Sequence, residues 1–314
     1  MKKLIIATRE SKLAMWQAEH IQARLQEAYP DMEVVINSMT SRGDQILDTP
    51  LAKIGGKGLF TKELETSMLA GESHIAVHSL KDVPMEFPDG LKLSVITKRH
   101  DPRDALLSQK YSSIEDLPQN AIVGTTSLRR RMQILKMRPD LTIKNLRGNV
   151  NTRIRKLKEG QYDAIILASS GIKRLGLQDE VKYFTPISEN FMIPAMGQAA
   201  LGIEIVDTPE IEEVISVLRD DDATIETTIE REFVRVLEGG CQVPIGINAK
   251  IDNNIVNIQA LVGLPDGEEV LYENLTCKKS EYKTKGQEIA HRFIEKGAKD
   301  LLKRAENIAL NEVF

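Results

Sequence analysis

Cysteine, aromatic residues and long apolar runs are all scarce in this chain. Two cysteines among 314 residues, Cys241 and Cys277, make no disulfide framework, and a reducing compartment would keep none. Aromatic residues amount to 4%, which argues against a nucleic-acid binder that stacks bases. The longest uncharged apolar stretch, residues 191–203, is broken by Pro194, Gly197 and Gln198 and is too short to span a bilayer. At the N-terminus the apolar run Leu4-Ile5-Ile6-Ala7 stops at Thr8-Arg9-Glu10, short of the roughly 7–15 residues of a secretory core. These absences read as a soluble, cytoplasmic protein that neither crosses nor binds a membrane.

What is present is an ordinary globular composition, 41% apolar, which excludes pervasive disorder and a fibrous repeat. The length suggests two domains with room for a third. Charge is unevenly spread. The whole carries −4, yet residues 124–174 hold 13 basic and three acidic side chains, a local +10, leaving −14 elsewhere. A basic stripe on an acidic protein points to an anionic ligand bound at one place.

Residues 4–8, 33–37, 75–79 and 91–97 read as strands. Ala14, Ala18, Ile21, Leu25 and Ala28 recur at helical spacing along one face, and residues 58–69 read as a second helix. The rhythm repeats with strands at 121–125, 141–146 and 164–168 and helices at 127–137 and 149–158. Gly160 is placed to end the last of these. Such alternation predicts α/β domains with largely parallel sheets, in which ligands collect beyond the carboxyl ends of strands. The last hundred residues change character. A helix over 223–237 precedes strands over 247–251, 255–262 and 268–275, and a long helix over 281–305 closes a smaller α+β domain.

Polar residues cluster where strands give way to helices. Ala7-Thr8-Arg9-Glu10-Ser11, Val77-His78-Ser79-Leu80-Lys81-Asp82, Gly124-Thr125-Thr126-Ser127-Leu128-Arg129-Arg130 and Leu146-Arg147-Gly148-Asn149 are four such junctions. Exposed N–H groups and the positive dipole end favour anions there, and the planar arginine fork suits carboxylates. The bland alternative is that the hydroxyls merely cap helices and the arginines are solvated. Lys81-Asp82 follows an apolar strand, a position where an acid can be catalytic or an inert surface partner. Gly239-Gly240-Cys241 sets a thiol on a tight loop, whereas Cys277, at a strand end, reads as a small hydrophobe.

Other motifs fail. His74 and His78 are four residues apart on a strand, roughly 13 Å, too far to share a metal. Gly55-Gly56-Lys57-Gly58 lacks the Ser or Thr and the upstream glycine of a phosphate loop.

Taken together, the junctions resemble one family over nearly the whole chain: hydroxymethylbilane synthase, also called porphobilinogen deaminase. The resemblance also runs through Gly56-Lys57-Gly58-Leu59-Phe60, Asp101-Pro102-Arg103-Asp104-Ala105, Pro194-Ala195-Met196-Gly197-Gln198 and Glu238-Gly239-Gly240-Cys241-Gln242-Val243-Pro244. It implies a transferase of tetrapyrrole and heme biosynthesis that joins four porphobilinogen units head to tail, loses ammonia at each step and hydrolyses off linear hydroxymethylbilane. It implies one dipyrromethane cofactor per chain, thioether-linked to Cys241. The catalytic acid carries over to Asp82, which would stabilise the cationic azafulvene formed as ammonia leaves and assist proton transfer. Ser11, Lys81, Asp82, Thr125, Ser127, Arg129, Arg130, Arg147 and Gly148 match cofactor-binding positions. Arg9, Ser11, Arg147, Arg153, Arg174, Lys53, Lys57 and Arg99 match positions that face the substrate's carboxylates.

The implied fold is two α/β domains of the periplasmic-binding-protein type around a cleft, plus a smaller C-terminal α+β domain. Domain 1 is then discontinuous (1–98 and 200–218), domain 2 spans 99–199, and residues 219–314 carry the cysteine. Hinges fall near 97–100 and 199–201, and the family suggests a monomer. Two departures stand out: Ala199 and Thr126 occupy positions where the family commonly has Gly and Ser. Two other classes compete: a two-lobed anion binder without chemistry, and a nucleic-acid binder using residues 127–155, whose affinity would fall steeply with salt.

Overall fold

The computed structural model describes residues 1–41, 43, 61–239 and 243–311. In chain order its strands are β1 (Lys3–Arg9), β2 (Glu33–Met39), β3 (Ile75–Ser79), β4 (Leu91–Ile96), β5 (Asp104–Ser108), β6 (Ile122–Gly124), β7 (Thr142–Lys144), β8 (Ala164–Ala168), β9 (Tyr183–Pro186), β10 (Leu201–Val206), β11 (Ile245–Asp252), β12 (Ile255–Gly263) and β13 (Val270–Lys278). The α-helices are α1 (Lys12–Ala28), α2 (Lys62–Leu69), α3 (Leu128–Met137), α4 (Val150–Lys158), α5 (Ser169–Arg174), α6 (Pro209–Ile215), α7 (Asp221–Val236), α8 (Tyr282–Glu295) and α9 (Ala298–Asn311).

Two compact units share the chain. The first takes the described residues up to His100 together with Ala199–Thr224, and the second takes Asp101–Gln198 and the residues from Ile225 onward. The first holds a five-stranded sheet in the order β2-β1-β3-β10-β4. Strands β1, β2 and β3 run parallel, and β10 lies antiparallel between β3 and β4. Alternate residues Leu4 and Ile6, Ile75 and Val77, and Ile203 and Ile205 meet Ala18, Ile21 and Leu25 of α1 in one core. Each such Leu or Ile contributes about 1.5–3 kcal/mol on burial.

The second unit repeats the plan as β7-β6-β8-β5-β9, with β5 the antiparallel member. A separate three-stranded antiparallel sheet, β11-β12-β13, belongs to the same unit.

The α/β alternation and the smaller C-terminal α+β part are as the sequence led one to expect, with three corrections. Each large sheet is mixed, because β5 and β10, two strands that the sequence reading leaves unmarked, run against their neighbours; both are short apolar runs that carry neither an alternating pattern nor a sign of direction. The short edge strand β9 also gave no alternating signal. The closing helix is two helices: Gly297, with φ at +92°, ends α8, and α9 begins at Ala298. The expected helix over 58–69 is described from Lys62, and the Gly55–Gly58 segment lies outside the described residues.

Helices α7 and α8 approach closely at Gly286. A Cβ there would lie 2.2 Å from the Ile229 carbonyl oxygen, 2.8 Å from Glu232 Cβ and 3.0 Å from Phe233 N. Nearby, the Phe233 and Phe293 rings meet edge to face at 5.2 Å. Overpacking of this kind costs about 1–3 kcal/mol or more. Gly286→Ala is therefore expected to lose about 3 kcal/mol in urea unfolding; a loss under about 0.5 kcal/mol would show that the two helices separate freely.

Candidate active site

In the second unit, β6, β7 and β8 are parallel and end at one edge of the sheet. Beyond β6 come Thr125, Ser127 and α3; beyond β7 come Arg147, Gly148 and α4; beyond β8 comes α5 with Arg174. Because β5 is antiparallel, its first residue, Asp104, pairs with Ala168 and stands at that same edge.

Local sequence fixes these junctions. Ser127 caps α3, its hydroxyl accepting the Arg130 N–H at 3.4 Å, and the Thr125 hydroxyl accepts the Ser127 N–H at 3.2 Å. Asn149 caps α4 by accepting the Thr152 N–H at 2.9 Å. Gly148, at φ +111°, admits no side chain, since a Cβ would sit 2.9 Å from Thr152 Cβ. Its carbonyl accepts Arg153 Nε–H at 2.7 Å, which orients that guanidinium.

Arg129 and Arg130 turn inward and are buried. Asp104, fully buried, serves both. Arg129 Nη1 lies 2.7 Å from Asp104 Oδ2; Arg130 donates from Nη2 at 2.7 Å and Nε at 3.1 Å to Oδ1. The same Arg129 Nη1 also donates to Ile193 O at 2.6 Å, and the other terminal nitrogen of Arg130, Nη1, donates to Ile166 O at 3.0 Å. Burial by itself would raise the Asp104 pKa, but the two guanidiniums outweigh it and hold the carboxyl well below its usual range. Desolvation pushes Arg174 down to about 10 and also lowers Arg129 and Arg147. Neither the solvated-arginine reading nor pure helix capping describes this edge. Arg129 and Arg130 are buried there, and Arg174 and Arg147 are partly desolvated.

The first unit has a matching edge. Arg9 ends β1, and beyond it comes Ser11, whose hydroxyl caps α1 by accepting the Ala14 N–H at 3.3 Å. Beyond β3 a 3-10 turn, Leu80–Asp82, carries the candidate acid. Leu80 and Val83 are buried on either side of half-buried Lys81 and exposed Asp82. The turn is tied down by Leu80 N–H donating to Ala200 O at 3.0 Å and Val83 N–H to Leu80 O at 3.1 Å. Arg99, half-buried, follows β4. Directly across the ladder from His78 is Gly202, and His78 Nε2 lies 2.8 Å from the buried Glu204 carboxylate. His74 is occupied elsewhere, its Nδ1 accepting the Ile5 N–H at 2.9 Å.

Cys241, Lys53 and Lys57 lie outside the described residues. The approach to Cys241 is visible: Glu238 adopts φ +56°, and a Cβ on Gly239 would meet Ile245 Cδ1 at 2.6 Å. Cys277 is buried in β13, and burial raises its thiol pKa. Sequence reasoning passed over Asp104 and Gln198. The available signal for Asp104 was a carboxylate opening an otherwise apolar strand.

Cations placed at the strand ends of each unit, against helix starts, suit an α/β protein that holds a small polyanion. Residues 4–213 match the family model "Porphobilinogen deaminase, dipyromethane cofactor binding domain", and residues 224–295 match "Porphobilinogen deaminase, C-terminal domain". The porphobilinogen deaminase of Aliarcobacter butzleri (strain RM4018) is 59% identical over 98% of this chain and 99% of its own length. That of Campylobacter curvus (strain 525.92) is 62% identical, with 98% and 99% covered. Among solved structures, the methionine binding protein MetQ is similar over 71% of this chain and 92% of that one, at 12% identity and a TM-score of 0.45. The chain belongs to the porphobilinogen deaminase family. It is a transferase of tetrapyrrole synthesis that assembles porphobilinogen into hydroxymethylbilane. Among the described residues no helix is long and apolar enough to cross a membrane.

Gly202 has no positive φ; it is there for space. A Cβ would come within 3.0 Å of Leu80 Cδ1 and Leu93 Cδ1 and 3.3 Å of Val83 Cγ2, the side chains that seat the Asp82 turn. Gly202→Val is expected to cost about 1–3 kcal/mol and to lower turnover at least tenfold. Ile96→Val, in the same apolar cluster, should cost about 1 kcal/mol with turnover retained. Equal turnover in both variants would show that the seat of the turn does not matter.

Proposed function

We propose that Cys241 holds the dipyrromethane group through a thioether, one per chain, that the second unit's arginines seat its carboxylates, and that Asp82 is the catalytic acid. The carrying observation is the second unit's edge, where Arg129 and Arg130 share the single carboxylate of Asp104 while burial disfavours the charge of Arg147 and Arg174. Such a donor set fits a ligand rich in acetate and propionate groups, because each desolvated guanidinium gains from a facing carboxylate. A polynucleotide fits poorly, since Arg129 and Arg130 are buried against Asp104 rather than offered on an open face. When bound, the group supplies the primer from which the chain of pyrroles grows.

The protein's own residues then divide the work. Arg147, Arg153 and Arg174 engage acetate and propionate carboxylates. Ser127 and Thr125, already accepting backbone N–H groups, retain their O–H donors for the same anions. Arg9, Ser11, Lys81 and Arg99, at the first unit's edge, present further donors to substrate, and Lys53 and Lys57 join them. The Asp82 carboxylate is exposed on its anchored turn, where it accepts pyrrole N–H groups and stabilises the cation that porphobilinogen becomes on losing ammonia. Preorganised charge of this kind contributes about two to three powers of ten in rate. Residues 219–314, with the β11-β12-β13 sheet, act as the part that presents Cys241, and the chain works as a monomer.

Cys241→Ser is expected to fold and to show no mass increment of two linked pyrroles in intact mass spectrometry, where the wild-type chain carries one on the Cys241 peptide. An increment of that mass on the serine variant would refute the attachment. Asp82→Asn should retain the increment yet lose turnover by about a hundredfold or more, read as hydroxymethylbilane formed per minute; a rate within about threefold of wild type would remove Asp82 from the mechanism.

A further inference from the structure

Among the described residues, Asp104 is the carboxylate that faces the two buried guanidiniums of Arg129 and Arg130. The three groups carry a net +1 in a desolvated place, which favours the approach of a further anion. Three donors converge on Asp104 Oδ1: Arg130 Nη2 at 2.7 Å, Arg130 Nε at 3.1 Å and Gln198 Nε2 at 3.0 Å. Gln198 also donates to Pro102 O at 2.7 Å, and it is the last residue before the chain leaves the second unit. The carboxylate is thus held by more than the charges it neutralises. Its orientation, and through it that of both guanidiniums, is set from the segment where the chain crosses between units.

We infer that Asp104 is a positioning residue for anion capture: with Gln198 it fixes Arg129 and Arg130 in the orientation that receives a ligand carboxylate, rather than serving only to neutralise them. This rests on the proposed reading of the second unit as the seat of the dipyrromethane carboxylates. The two roles predict opposite results. A carboxylate that only neutralises also repels an incoming carboxylate, so its removal should speed capture. A carboxylate that positions should slow capture when removed, although the net charge then rises from +1 to +2.

The experiment follows loading of apo-protein, produced without a supply of porphobilinogen. Porphobilinogen is added over a range of concentrations, and the mass increment on the intact chain is read against time. For Asp104→Asn the concentration giving half-maximal loading rate is expected to rise at least tenfold, while the final extent still reaches one increment per chain. A merely destabilised protein would instead lose the final extent. Gln198→Met keeps every charge and a similar volume but frees one side of the carboxylate. Its half-maximal concentration is expected to rise about threefold, and this variant decides the matter if Asp104→Asn yields no folded protein. Loading at or above the wild-type rate in the folded variants overturns the inference while the reading of the site stands. A wild-type chain that gains no increment overturns that reading and this inference with it.

Discussion

Burying a guanidinium costs several kcal/mol unless an anion faces it, and the second unit buries Arg129 and Arg130 against a single Asp104. The surrounding architecture follows from meeting that cost. A parallel sheet delivers helix starts to one edge, where capping Ser127 and Asn149 satisfy N–H groups that would otherwise compete for the anion. The antiparallel β5 is needed as well. Only a strand running the other way brings its first residue, and hence Asp104, to the edge where its neighbours finish. Carbonyl oxygens of Ile166 and Ile193 take up further arginine donors. The unit tolerates its buried charge by surrounding it with acceptors.

The first unit uses the same sheet order for a different end. Its antiparallel strand begins at Leu201, beside Ser79, and contributes no charge at the edge. It contributes space: Gly202 and the backbone of Ala200 receive Leu80 and Val83, which pin a three-residue turn whose Lys81 and Asp82 stay accessible. An acid that must meet a developing cation in a growing ligand gains from an anchored backbone and an exposed tip. Two copies of one topology thus hold charge in two manners, buried at one edge and accessible at the other.

Much of this was legible in the sequence, for reasons that are physical. The cap residues Ser11, Ser127 and Asn149 and the 3.6-residue spacing in α1 are local signals, and the structure returns them nearly unchanged. The local +10 of residues 124–174 pointed to an anionic ligand because so much like charge in one stretch is unfavourable without a counter-charge. What stayed hidden depends on distance in sequence. That Arg129 and Arg130 are buried rather than solvated follows from Asp104, about 26 residues earlier, and strand direction at β5 and β10 is a property of pairing rather than of composition. Gln198 meets Asp104 across 94 residues; no spacing rule reaches that far.

Ala199 brings the local and the distant together. The family resemblance marks it as a place where glycine is usual, and the structure gives the reason: its φ is +77°, in the left-handed region, directly after Gln198 and two residues after Gly197 at +65°. Alanine there carries about 1–2 kcal/mol of backbone strain. Its methyl is buried, and its carbonyl accepts the His100 N–H at 3.4 Å, joining the two segments by which residues 101–198 connect to the first unit. A glycine would relax the strain and also widen the conformations open to the segment. The alanine narrows them at the point from which Gln198 reaches Asp104, so the same residue that strains the crossing also limits how far the carboxylate's anchor can wander.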